Sequence, residues 1–144
     1  MIKTGDKYEQ KVRYTQDDVI GFAKVSGDCN PIHLDAEYAA KTMFKRPIVH
    51  GFLSAAVFSK VFGMDFPGPG TIYMSQQMKF LAPVYVDRDY VARFEVTEIK
   101  PEKHIGIVSC SLVDCETGRE CISGTAMLKH DEQFVKNQKL LIIK

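Results

Sequence analysis

The chain has 144 residues, 45% of them hydrophobic, with 19 basic against 18 acidic side chains and a net charge of +1. That length accommodates one domain with a real core and hardly two, so residues 1–144 are expected to form a single domain. The mixed signs argue against nucleic acid as a partner, and no apolar run approaches the roughly 20 residues of a membrane-spanning helix.

The opening M-I-K-T-G-D lacks the apolar segment of a signal peptide, so the expected location is the cytoplasm and the four cysteines are expected to be reduced. Their spacing, C-x4-C-x5-C after the isolated Cys29, fits no zinc pattern, and no metal site is expected. Tyr8 to Tyr14 alternates polar and apolar residues as a first strand does. Thr15 with Asp18 three residues later resembles a capping box, so a helix follows, with an apolar stripe of Val19, Ile20, Phe22, Ala23 and Val25, and ends at Ser26-Gly27.

Next comes V-S-G-D-C-N-P-I-H, residues 25–33, where a carboxylate, an amide and an imidazole crowd around one Gly-Asp turn. Gly27 permits positive φ, Asp28 and Asn30 can bond nearby backbone, and Pro31 biases Asn30 toward extended angles. Asp28 and His33, held on so stiff a loop, can act as an acid and base on one small target. The plainer reading makes Asp28 a turn residue and His33 a structural histidine, and spacing alone leaves both readings open. Asp35 then caps a short helix from Ala36 to about Met43. Lys41, Lys45 and Arg46 read as a solvated basic face.

G-F-L-S-A-A-V-F-S-K-V-F, residues 51–62, reads as a helix apolar on nearly every face, which is normally buried all round. Gly51 opens it, so its N–H is one of the first-turn donors without an intrahelical partner and can polarise a carbonyl; close packing or N-capping are equal alternatives. His50 adjoins that position, and Ser59, within the apolar face, is expected to bond the carbonyl four residues back. The P-G-P-G stretch between Gly63 and Gly70 breaks the helix. Strands are predicted near 71–82, 84–100, 104–114 and 119–129, the last two joined by a hairpin at Asp114–Gly118. Their alternation demands a cover for one face, and the 51–62 helix is the only element apolar enough. An α+β fold, an antiparallel sheet curled around that helix, is therefore expected. The tail 131–144 is polar until L-L-I-I at 140–143, which suits an edge strand, a subunit contact or disorder.

F-A-K-V-S-G-D-C-N-P-I-H-L-D at 22–35, R-P-I-V-H-G-F-L at 46–53, F-P-G-P-G-T-I-Y at 66–73 and F-L-A-P-V at 80–84 together resemble the MaoC-like (R)-specific enoyl-CoA hydratases. The resemblance runs from about residue 8 to 130. It implies a hot dog fold and syn addition of water to a trans-2-enoyl thioester of CoA or acyl carrier protein, giving an (R)-3-hydroxyacyl thioester, without metal or redox cofactor. It further implies Asp28 and His33 as catalytic residues, the Gly51 N–H as holder of the thioester oxygen, Ser59 and Asn30 in support, and a homodimer. The rival readings are a hot dog thioesterase and a non-catalytic thioester-binding subunit.

Overall fold

The structure is a computed structural model that describes residues 1–136. Its first strand, β1 (Lys7–Val12), leads into helix α1 (Gln16–Ser26). Thr15 and Asp18 complete the expected capping box, and Gly27 closes the helix in the left-handed conformation at φ 80°. The apolar stripe of α1 is narrower than its sequence suggests. Val19 and Ala23 are buried, whereas Ile20 is 47% and Val25 89% exposed.

Two short helices follow, α2 (Pro31–Leu34) and α3 (Ala36–Ala40). The first replaces what reads in the sequence as loop. Asn30 caps it through a bond from the Ile32 amide, and Pro31 occupies the first helical position, where its missing N–H costs nothing. Asp35 caps α3 as expected by accepting from Glu37 and Tyr38, but the helix stops at Ala40 instead of Met43, with the Thr42 hydroxyl bonded to the Ala39 carbonyl.

The expected helix over 51–62 is present in two pieces, α4 (Gly51–Ser54) and α5 (Ala56–Met64), interrupted at Ala55. Nor is it buried on all sides. Val57, Phe58, Val61 and Phe62 face the sheet, while Phe52 is 70% exposed and Ser59 and Lys60 also stand outside. The apolar residues therefore divide between a buried face and a mixed outer side where Phe52 stands beside Ser59 and Lys60.

The remaining strands are β2 (Ile72–Phe80), β3 (Tyr90–Lys100), β4 (Ile105–Asp114) and β5 (Glu120–Lys129). They join β1 in one five-stranded antiparallel sheet of order β1-β3-β4-β5-β2. β3 begins six residues later than predicted because the backbone of 84–89 bonds elsewhere. The Tyr85 N–H donates to the Tyr90 hydroxyl, the Asp87 N–H donates to the Tyr14 carbonyl, and Asp87 adopts φ 58°.

The core lies between α5 and the sheet, with Phe58 and Phe62 meeting Phe94 edge-on at centroid distances of 5.8 and 5.3 Å. Burying side chains of this size contributes roughly 1.5–3 kcal/mol each. The polar-looking tail adds one further core residue: Phe134 is fully buried over Gly106, where a Cβ would collide with its ring. The L-L-I-I segment lies outside the described residues. Among the described residues no helix is long and apolar enough to cross a membrane.

Candidate active site

The turn after α1 is built from its own side chains. The Asp28 N–H donates to the Ser26 hydroxyl at 3.1 Å, and Asp28 Oδ1 accepts the Asn30 N–H at 3.2 Å. One carboxylate oxygen of the exposed Asp28 is thus engaged in the turn, as the plainer reading holds, and the other is left without a bond in that turn. Asn30 aims α2, and α2 carries His33, which is 8% exposed.

His33 Nδ1 lies 2.7 Å from the Ile48 carbonyl oxygen. A carbonyl only accepts, so Nδ1 bears the proton and the neutral ring keeps its lone pair on Nε2. The segment Ile48–His50 is itself tied back into the fold, Ile48 N–H to the Ile32 carbonyl at 3.2 Å and Val49 N–H to the Val84 carbonyl at 2.7 Å.

His50 immediately precedes α4. It is 2% exposed, and its Nε2 lies 2.9 Å from the Asp28 carbonyl oxygen. One side-chain donor atom from each of Asp28, His33 and His50 falls within 4.8 Å of the others. Two histidines and a carboxylate could in principle hold a metal, so the ring geometry matters. The two imidazoles stack with centroids 3.9 Å apart and planes inclined by only 29°. Such planes do not converge on a point about 2.0–2.1 Å from a nitrogen of each ring, as zinc ligation requires.

Gly51 follows His50 and opens α4, and a pocket of about 670 Å³ is lined by both His33 and Gly51, together with Phe44, Ser54, Phe80 and Tyr85. A Cβ on Gly51 would lie 2.9 Å from the Phe80 ring, so a close approach accounts for a glycine here. The buried Ser54 hydroxyl donates to the Gly51 carbonyl at 2.6 Å, and the Tyr14 hydroxyl donates to the Ser54 carbonyl at 2.9 Å. Burial pushes the Tyr14 phenol well above its ordinary range, so it stays a neutral donor.

Asp28, Asn30, His33 and Gly51 are thus brought into one neighbourhood, while Ser59 is not part of it. Ser59 is exposed and lines a separate groove of about 370 Å³ with Phe52, Ala55, Tyr73, Met74 and Met78. The expected bond back to the carbonyl four residues earlier is not among the hydrogen bonds of the described residues. Within residues 51–64 the serine that bonds backward is Ser54, to Gly51. Its spacing of three from Gly51 is the signal that identifies it in the sequence. His50, adjacent to Gly51 and named as a neighbour in the sequence, proves to touch both Asp28 and His33. Of the basic cluster, Arg46 lies over the Tyr85 ring at 4.0 Å, and Lys41 and Lys45 are exposed as expected.

The model of the MaoC like domain matches residues 1–117. The (R)-specific enoyl-CoA hydratase of Aeromonas caviae is 38% identical over 128 residues, spanning 89% of this chain and 95% of that protein. The 3-hydroxybutyryl-CoA dehydratase of Methylorubrum extorquens is 39% identical over 120 residues, 83% of this chain and 74% of that protein. Among solved structures, the A. caviae (R)-hydratase superposes with a TM-score of 0.86 at 37% identity, covering 90% of this chain and 97% of its own. These likenesses agree with the sheet order and the α5 packing in making this an α+β hot dog fold, and the chain belongs to the MaoC-like dehydratase family.

Proposed function

We propose that the protein is an (R)-specific enoyl-CoA hydratase/dehydratase, a hydro-lyase that adds water syn across the double bond of a trans-2-enoyl thioester or removes it from the (R)-3-hydroxyacyl product. The carrying observation is the convergence of the Asp28 carboxylate and the His33 imidazole within 4.8 Å, beside a pocket that His33 shares with Gly51. The identity to enoyl-CoA hydratases and to a 3-hydroxybutyryl-CoA dehydratase supports the reaction class.

In this reading one water sits between Asp28 and His33 Nε2. It gives a proton to that pair as its oxygen bonds to C3. The π electrons move toward the thioester oxygen, where the Gly51 N–H meets the developing charge, and C2 takes a proton from the same pair. Both additions come from one side of the double bond, which makes them syn. One such preorganised donor is worth about 3 kcal/mol of barrier. Asn30 supports the carboxylate by shaping its turn, and Ser59 supports a substrate long enough to extend into the neighbouring groove. No metal or redox cofactor enters the sequence of bonds, and the near-parallel imidazole planes do not suit joint ligation of one ion.

The substrate is a CoA or acyl-carrier-protein thioester, and the working form is a homodimer. What supports a dimer is β2, an edge strand, exposing Ile72, Tyr73, Met74 and Phe80 beside the uncovered Phe52. An apolar edge of this kind invites pairing with another copy. The described cysteines are all free, which suits the cytoplasm.

The test is incubation of the purified protein with crotonyl-CoA. Loss of the conjugated enoyl absorbance without release of CoA thiol is the expected result; thiol release would indicate a thioesterase, and no reaction a binding subunit.

A further inference from the structure

His50 is, with Ser54, the most deeply buried polar side chain of the site, and it is the one with an unexplained atom. Its Nδ1 is buried and has no hydrogen-bond partner among the described residues. A histidine retained only for packing satisfies both nitrogens or is replaced by an apolar residue, so a bare buried lone pair calls for a reason. The other contacts of His50 supply one.

Its Nε2 carries the proton, because the atom 2.9 Å away is the Asp28 carbonyl oxygen, which only accepts. Its ring lies between two aromatic neighbours, His33 at 3.9 Å and Phe22 at 4.8 Å. Its backbone carbonyl accepts the Ser54 N–H at 2.9 Å and begins the helix that Gly51 opens. One residue therefore touches the backbone of the carboxylate, the ring of the base and the peptide that bears the oxyanion donor.

We propose that His50 is a positioning residue for the hydration, holding Asp28, His33 and the Gly51 amide in mutual register through its hydrogen bond, its stacked ring and its backbone. This rests on the hydratase reading of the same site. His33 and His50 are then opposite tautomers, Nδ1–H and Nε2–H. The ring that takes the proton of the attacking water is thus backed face to face by the His50 ring, which the Asp28 carbonyl holds in place.

The experiment uses the full chain labelled with ¹⁵N at histidine, and two variants. Long-range ¹H–¹⁵N spectra of the unsubstituted protein at neutral pH should show His33 as the Nδ1–H form and His50 as the Nε2–H form. His50→Phe keeps an aromatic ring between Phe22 and His33 and deletes the bond to Asp28. It should lower kcat on crotonyl-CoA by about 10²-fold, the cost of a small misplacement of reacting groups, with KM changed less than about threefold. His50→Gln, whose amide can reach the Asp28 carbonyl, should recover about tenfold of that loss. The proposal is overturned if His50 is the Nδ1–H form, if His50→Phe keeps the full rate, or if both variants lose rate equally and only in proportion to lost thermal stability. If the unsubstituted protein does not hydrate crotonyl-CoA, it is the hydratase reading that fails, and the tautomer measurement still decides whether His50 holds Asp28.

Discussion

His33 donates its Nδ1–H to the Ile48 carbonyl across 2.7 Å, and this single bond makes the ring a base on its other nitrogen. Because the bond is to backbone, removing the ring leaves only one carbonyl to resolvate. His33→Ala and Asp28→Asn are each expected to lower kcat by about 10²–10⁴-fold, the range for losing a positioned acid or base. Asp28→Asn retains an oxygen to accept the Asn30 N–H, so its melting temperature should match the unsubstituted protein within a few degrees. Steady-state hydration of crotonyl-CoA with parallel calorimetry checks both, and near-normal turnover in either variant would remove the assigned roles.

The Gly51 amide can be tested separately from the space around it. His50 has φ −53° and ψ 139°, the conformation a residue before proline prefers, and Gly51 stands at the first helical position, where proline is well tolerated. Gly51→Pro therefore deletes the N–H while keeping the helix start. Gly51→Ala keeps the N–H and adds the Cβ that crowds Phe80. The proline variant should be about 10²–10³-fold slower in kcat than the alanine variant. Equal rates would show that the amide contributes nothing to the transition state. Trimming Phe80 to Ala in the Gly51→Ala background should restore part of whatever the alanine costs.

How much of this was readable beforehand depended on whether the partner was a side chain or backbone. The ends of α1 are written in Thr15, Asp18 and Gly27, each acting on its own neighbours, and they fall where the sequence places them. The Asp28–Asn30–His33 constellation was legible because the turn that carries it is built from its own side chains, whereas the Ile48 carbonyl that orients the His33 ring lies fifteen residues away. His50 was legible only as a neighbour, since the group it binds is the Asp28 carbonyl, and every residue carries one. Hydrophobicity located the 51–62 helix but could not divide its faces between the sheet and the exterior. β3 starts later than its sequence suggests because the carbonyl of Tyr14, remote in sequence, takes the amide of Asp87, and the Tyr90 hydroxyl, five residues on, takes that of Tyr85.

The exposed edge makes the oligomeric state measurable through substitutions that cost the monomer little. Phe52 and Met74 are 70% and 48% exposed. Met74→Lys together with Phe52→Lys should shift the sedimentation mass from dimer to monomer at micromolar protein, because charges on a strand edge oppose pairing. Monomer mass for the unsubstituted chain, or an unchanged dimer in the variant, would place the interface elsewhere or nowhere.

Phe134 closes the sheet where β4 has no side chain of its own at Gly106. Its N–H donates to the His130 carbonyl at 3.2 Å, and His130 Nε2 lies 2.9 Å from the Pro69 carbonyl oxygen, so the segment is tied to the loop after α5. Phe134→Ala should cost about 3–5 kcal/mol, the usual price of emptying a core aromatic site. Gly106→Ala should also destabilise, by overpacking against the same ring. Urea denaturation of both variants checks this, and a loss under 1 kcal/mol for Phe134→Ala would contradict its placement in the core.

Asp114 ends β4 and couples stability to pH. Burial alone would raise its carboxyl, but the Glu116 N–H and the Arg88 guanidinium, 2.8 Å away through Nε, together hold it below the usual carboxylate range. A carboxyl whose folded value lies below its unfolded value of about 3.9 stabilises the fold fully above that pH. The contribution is lost as pH falls through the lower folded value. Arg88→Ala removes the main cation and leaves burial to act, so the variant should melt lower than the unsubstituted protein at pH 6. Acidification below the unfolded value should narrow that gap progressively, because Asp114 gains its proton as pH falls through the lower folded value and then no longer needs its partner. Thermal melts of both proteins across this range provide the measurement. A gap of constant size would mean that Arg88 contributes through packing of its stem and not through the charge it places beside Asp114.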